Sequence, residues 1–115
     1  MKTKTNELIG PALDWAVAES EGNVRLQYDS REGLIICNIL GWIPYRPSVA
    51  WAQGGPIIER EGITLRSCID GAAWDAELAY EETILAPGPT PLIAAMRCYV
   101  SSVLGDEVEV PDELI

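Results

Sequence analysis

Ile63-Thr64-Leu65-Arg66-Ser67-Cys68-Ile69-Asp70-Gly71-Ala72-Ala73-Trp74-Asp75-Ala76-Glu77-Leu78-Ala79-Tyr80 reads as two strands and the turn between them. Residues 63–68 form the outgoing strand. Asp70-Gly71 is a two-residue hairpin signal, because both residue types tolerate positive φ. Residues 72–80 return, with Trp74, Ala76, Leu78 and Tyr80 on one face and Asp75 and Glu77 on the other. An antiparallel hairpin with one apolar face must be covered by another layer.

That layer is written immediately downstream. Residues 86–91, Ala-Pro-Gly-Pro-Thr-Pro, read as a rigid loop. Thr90 is an N-cap and Pro91 suits the first helical position, where a missing N–H costs nothing. Residues 92–104 are then a helix, and Gly105 ends it. Its main stripe is Leu92, Met96, Tyr99, Val100 and Val103; the opposite side is Ala94, Cys98, Ser101 and Ser102. Arg97 is the only charge along its length. A helix this apolar all round is either central to the domain or buried at a subunit contact.

Upstream, residues 8–20 predict a first helix, with Pro11 in its first turn and Gly22 as its stop. Leu13, Ala16, Val17 and Ser20 share one side, and Trp15 falls opposite, beside Asp14 and Glu19. Residues 24–28 alternate, with Val24, Leu26 and Tyr28 facing in. Residues 29–33 are turn chemistry. Residues 34–40 are apolar on both faces, which suggests a central strand covered on both sides. The chain therefore reads as one α+β domain, 1–115: an antiparallel sheet of about four to five strands with two main helices packed on one face.

Composition narrows the function. The 115 residues hold 8 Lys+Arg against 18 Asp+Glu, a net charge of −10, and 48% hydrophobic residues, so the chain is an acidic globular one and not a disordered one. Histidine is 0, which excludes a Ser-His-Asp triad, a Cys-His dyad and His-ligated zinc. Cys37, Cys68 and Cys98 form no C-x-x-C pair and read as small core hydrophobes in a reducing compartment. We expect no metal, no cofactor and no disulfide scaffold. No segment reaches the roughly 18 apolar residues of a membrane span, and Met1-Lys2-Thr3-Lys4 makes a poor signal peptide, so cytoplasmic localisation is the expectation. The acidic balance opposes direct contact with nucleic acid. The acids Asp106, Glu107, Glu109, Asp112 and Glu113 crowd the last ten residues, an acidic tail at 106–115 in which Val108 and Val110 alternate as a short edge strand would.

The segment 42–61 carries what chemistry there is. It reads as an irregular loop rich in Gly, Pro and Trp, with one helical turn over Pro56–Glu61. Trp42, Tyr45 and Trp51 supply rings that stack on a flat base. Arg46 and Arg60 suit a phosphate or carboxylate. Gly54 and Gly55 let backbone N–H groups approach an anion, and Gln53 reads a base edge or caps the loop. The same features also describe a tight turn with tryptophans plugging the end of a core, and no Walker motif or dinucleotide fingerprint is present. Asp75 and Glu77 read as a solvated strand face rather than a catalytic pair, and catalysis stays an open, less favoured reading.

Three blocks carry a resemblance. They are Ala12-Leu13-Asp14-Trp15-Ala16-Val17-Ala18, Trp51-Ala52-Gln53-Gly54-Gly55-Pro56-Ile57-Ile58-Glu59-Arg60-Glu61, and Gly88-Pro89-Thr90-Pro91-Leu92-Ile93-Ala94-Ala95-Met96-Arg97-Cys98-Tyr99-Val100. In that order they resemble the NinX-like family of small bacteriophage and prophage proteins, a domain of unknown function. Similar sequences often carry an acidic residue where this chain has Ala50. The resemblance implies a phage accessory protein acting in the bacterial cytoplasm, and no particular activity. Two functions follow as expectations. One is a non-enzymatic binder of a small anionic, nucleotide-like ligand, such as a host-defence signal, through segment 42–61. The other is an acidic protein-interaction or nucleic-acid-mimic module that binds a host protein. The nearly chargeless second helix and the off-stripe Trp15 add the expectation of a homodimer.

Overall fold

The computed structural model describes residues 1–22, 26–31, 33–38 and 41–115, and among these sets eight strands and two α-helices around a third, buried helix. In chain order these are β1 (Lys2–Lys4), α1 (Gly10–Glu21), β2 (Leu26–Asp29), β3 (Gly33–Asn38), β4 (Gly41–Pro44), α2 (Trp51–Glu61), β5 (Thr64–Cys68), β6 (Ala73–Ala79), β7 (Thr83–Gly88), α3 (Pro91–Leu104) and β8 (Glu107–Glu109). The class is α+β, as the sequence predicts. The expected single sheet is instead three small antiparallel ones, β5-β6-β7, β2-β3-β4 and β1-β8, and the expected two main helices are three. Segment 51–61 is a helix where a loop is expected, and it lies in the chain between the β2-β3-β4 and β5-β6-β7 sheets.

α3 is the axis. Leu92 through Val100 are all buried, with Ala94, Ala95, Met96, Cys98 and Val100 at 0% exposure. They pack on Ala76, Leu78 and Ala86 of the β5-β6-β7 sheet and on Ala16 and Val17 of α1. The local signals hold: Thr90 Oγ1 accepts the N–H of Ile93 at 3.1 Å, Pro91 opens the helix and Gly105 closes it. The predicted loop over 86–91 is shorter, because β7 runs to Gly88. Pro87 is tolerated there because β7 is an edge strand and its missing N–H faces away from β6. At Gly88 the strand meets α3 backbone to backbone: a Cβ would lie 2.6 Å from Ala94 N. Arg97 sits on this buried helix. Its Nε donates to Leu8 O at 2.9 Å and its Nη1 to Pro87 O at 3.0 Å.

The β5–β6 hairpin forms where expected, with Asp70 at φ 53° and Gly71 at φ 87°. Its strands pair only from Cys68–Ala73 outward, so the connection is four residues, 69–72. Two predicted inward rings are exposed. Tyr80 (60% exposed) lies past the end of β6 and sends its hydroxyl to Glu61 Oε1 at 2.7 Å. Tyr28 (46% exposed) lies on β2, an edge strand. Tyrosine tolerates both positions because its hydroxyl stays wet. Cys98 is buried, but Cys68 is half-exposed and its Sγ donates to Asp75 Oδ2 at 3.3 Å. Val24, residues 39–40 and the side chain of Cys37 lie outside the described residues.

α1 starts at Gly10, two residues later than predicted, because Ile9 is extended (φ −151°, ψ 157°). Trp15 is half-buried and packs against the core. Leu92–Val100 of α3 are covered within the chain, while Trp15 keeps part of its surface open and Val103 and Leu104 at the end of α3 are exposed. The acidic C-terminal stretch is also docked: β8 pairs with β1 so that Lys2 faces Glu109 and Lys4 faces Glu107. Val108 and Val110 are buried beneath it. The terminal amine meets Asp112 at 2.9 Å and Glu109 at 3.1 Å.

Candidate functional site

Segment 42–61 does not fold as one concave loop. It is a strand end, a turn and a helix, and these send its residues in different directions. Trp42 (53% exposed) sits on β4, where the register puts it on the face shared by Gln27, Ile35 and Pro44. Trp51 (55% exposed) is the first residue of α2. Tyr45 is buried against the core. Arg46 is exposed at the turn. Gln53 clips that turn shut: its Nε2 donates to Pro44 O at 2.7 Å and its Oε1 accepts the N–H of Arg46 at 2.6 Å.

The glycines serve packing and helix geometry. Gly54 is buried, and a Cβ there would lie 2.4 Å from Pro47 O and 2.6 Å from Leu92 Cδ2. Its N–H already bonds Ala50 O at 2.9 Å. A Cβ on Gly55 would meet nothing within 4 Å. The helix survives Gly54-Gly55-Pro56 because Gly54 and Ile57 are pressed into the core and Gly62, in the left-handed region, caps its end through Ile58 O.

Arg60 lies nine residues beyond Trp51, about 13 Å along the helix axis. Its Nη2 and Nη1 grip Glu21 at 2.8 and 3.2 Å, and its Nε meets Glu61 at 2.8 Å. The guanidinium lies 5.6 Å from the centre of the Tyr99 ring, and Tyr99 OH donates to Glu21 Oε2 at 2.7 Å. This cluster joins the C-terminal ends of α1 and α2 to α3. It holds Arg60 away from Trp42 and Trp51.

What the fold does bring together is the turn after β4 and the start of α1. Asp14 (5% exposed) accepts the N–H of Ser48 through Oδ1 at 2.9 Å. Burial pushes its carboxyl up to about 6, against the opposing pull of hydrogen bonding from Ser48 and the Arg46 charge. Ser48 is 1% exposed, and its Oγ has no hydrogen-bond partner. On one side of Ser48 and Val49 is an open cleft of about 160 Å³ whose walls include Asp14, Leu34, Tyr45 and Arg46. On the other is a hollow of about 190 Å³ bounded by Trp51, Thr90, Pro91 and Leu92. The N-termini of α2 and α3 meet at this hollow; α3 is capped by Thr90, whereas Ala50 offers α2 no side-chain cap. Of the residues singled out from sequence, Tyr45, Arg46 and Trp51 border this region. Asp14 and Ser48 were not among them. The helical spacing sets Asp14 beside Trp15, opposite the apolar stripe, whereas the fold buries it under the turn before α2.

The arrangement offers hydrogen bonds and a ring surface rather than nucleophilic chemistry. The Cys98 thiol is pushed up to about 11 by burial, and Cys68 is raised by its bond to Asp75. Among the described residues no group of three or more His, Cys, Asp or Glu is gathered as a metal site requires. Nor, among the described residues, is any helix long and apolar enough to cross a membrane.

A search of the curated proteins finds no match. Residues 4–102 match the family model described as Bacteriophage P22, NinX.

Proposed function

The chain belongs to the bacteriophage P22 NinX family, and from that premise we propose that this phage accessory protein binds a small anionic, nucleotide-like ligand without turning it over, in the host cytoplasm. The observation that carries the proposal is the meeting of exposed Trp51 with the uncapped start of α2 on the hollow beside Ser48. An indole stacks on a flat ring, and a helix start favours negative charge. Of the wider residue set proposed from sequence, Trp51 is the stacking ring and Arg46 a neighbouring cation, while Gln53, Gly54 and Arg60 build the frame. Titration calorimetry with nucleoside monophosphates, cyclic dinucleotides and ADP-ribose tests this. Binding that weakens at least tenfold in Trp51→Ala is expected, and a folded protein silent toward the whole panel overturns it.

A second reading is favoured by a different surface. Trp42 stands exposed on the sheet face it shares with half-buried Ile35 and Pro44, on a protein of net charge −10. That combination suits an acidic module docking on a basic host protein. Capture of a host partner that is lost in Trp42→Ala, with nucleotide binding absent, favours this reading over the first.

A further inference from the structure

We propose that the cleft between α1 and the β4–α2 turn is a subsite for one planar ring bearing adjacent N–H donors, the guanine base edge above all. This deepens the ligand-binding reading and rests on it: it places the ring, where the hollow beyond Ser48 would take the anionic end. Ser48 and Val49 border both.

Size comes first. A cavity of about 150 Å³ lined by apolar side chains holds one six-membered ring. The cleft here is about 160 Å³ and open on one side, so a fused ring and its sugar extend outward. Its apolar walls include Leu34, the Tyr45 ring and Val49.

Polarity then selects the ring. Asp14 is an acceptor with capacity beyond the single N–H it takes from Ser48. Ser48 Oγ is buried with no hydrogen-bond partner, a cost that rotation of its side chain toward a ligand in the cleft would relieve. A carboxylate asks for donors side by side. Guanine presents N1–H and the 2-amino group in that way. Adenine and cytosine set a ring acceptor beside their amino group, and uracil flanks its single N–H with two carbonyls, so each brings a lone pair toward Asp14. Acidity of the protein as a whole is no obstacle to this subsite, because the recognising group is itself an acid.

The test is titration of the whole chain with guanosine, inosine and adenosine monophosphates and with inorganic phosphate. The guanosine compound binds tightest, and inosine monophosphate, which lacks the 2-amino group, is weaker by about tenfold or more. Asp14→Asn keeps an oxygen for the Ser48 N–H but turns an amide donor toward the ring, and removes the preference for guanosine. Ser48→Ala weakens guanosine monophosphate by about three- to tenfold without lowering the melting temperature, because its hydroxyl is buried with no partner in the free protein. Equal affinity for the three nucleotides, or guanosine binding unaltered in Ser48→Ala, overturns the ring subsite and leaves the anion-binding reading standing. Failure of every nucleotide and of phosphate to bind overturns both.

Discussion

Asp14 and Ser48 lie 34 positions apart, and the carboxylate of one receives the backbone N–H of the other at 2.9 Å in a buried setting. The bond ties the first turns of α1 to the turn that launches α2. It therefore sets the position of Trp51 relative to the cleft.

Because burial raises Asp14 from 3.8 to about 6, the folded chain holds this proton more tightly than the unfolded chain does. The contribution of Asp14 to stability is therefore full below about pH 4, falls as pH rises toward 6, and is flat above it. A shift of this size corresponds to a loss on the order of 3 kcal/mol. Asp14→Asn should flatten that slope. Denaturant midpoints at pH 4, 5, 6 and 7 for both proteins check it; parallel curves would mean that Asp14 titrates normally.

Gly54 and Gly55 are adjacent yet should respond oppositely to alanine. Gly54→Ala forces a Cβ against Pro47 O and Leu92, and should cost about 1–3 kcal/mol. Gly55→Ala meets open space on a helix and should stabilise by roughly 0.5–1 kcal/mol. Thermal melts of the two variants decide it. Two neutral substitutions would contradict the packing of α2.

Arg97 should behave as a structural clamp. Arg97→Met leaves Leu8 O and Pro87 O without their donor and should destabilise by about 2–4 kcal/mol in urea unfolding. Its burial already lowers the guanidinium pKa, so replacement by Lys, with fewer donors, should fall between.

The acidic C-terminal stretch should matter through its valines more than through its charges. Glu109→Gln removes an exposed ion pair and should leave stability almost unchanged. Deleting residues 106–115 removes buried Val108 and Val110 and the partner of β1, and should cost roughly 3–5 kcal/mol. Calorimetric melting of the two variants separates them. For the same reason, charge substitutions rather than truncation are the right probe of any host partner that reads this surface.

Family blocks, caps and class were legible in the chain because they depend on near neighbours. Thr90-Pro91 and Gly105 bound α3 within a residue of the prediction, and Asp70-Gly71 turns the hairpin, through backbone preferences local to each position. The exposed rings were harder. Tyr28 and Tyr80 keep the alternation of inward residues, but edge position and a distant carboxylate, not periodicity, decide where a phenol rests. α2 was hidden for the same reason: Gly54-Gly55-Pro56 argues against a helix until Pro47 and Leu92 close on Gly54.

The candidate site divides along this line. Sequence alone determined that the molecule would be an acidic α+β domain without imidazole chemistry, and that segment 42–61 would supply rings and cations. Only the tertiary structure decided that Arg60 is committed to Glu21 and that Gln53 folds onto its own turn. It alone brought Asp14 beneath Ser48 and left a buried hydroxyl unbonded there. Such pairings are set by which surfaces exclude water together, and burial of that kind has no counterpart in the spacing of residues along a chain.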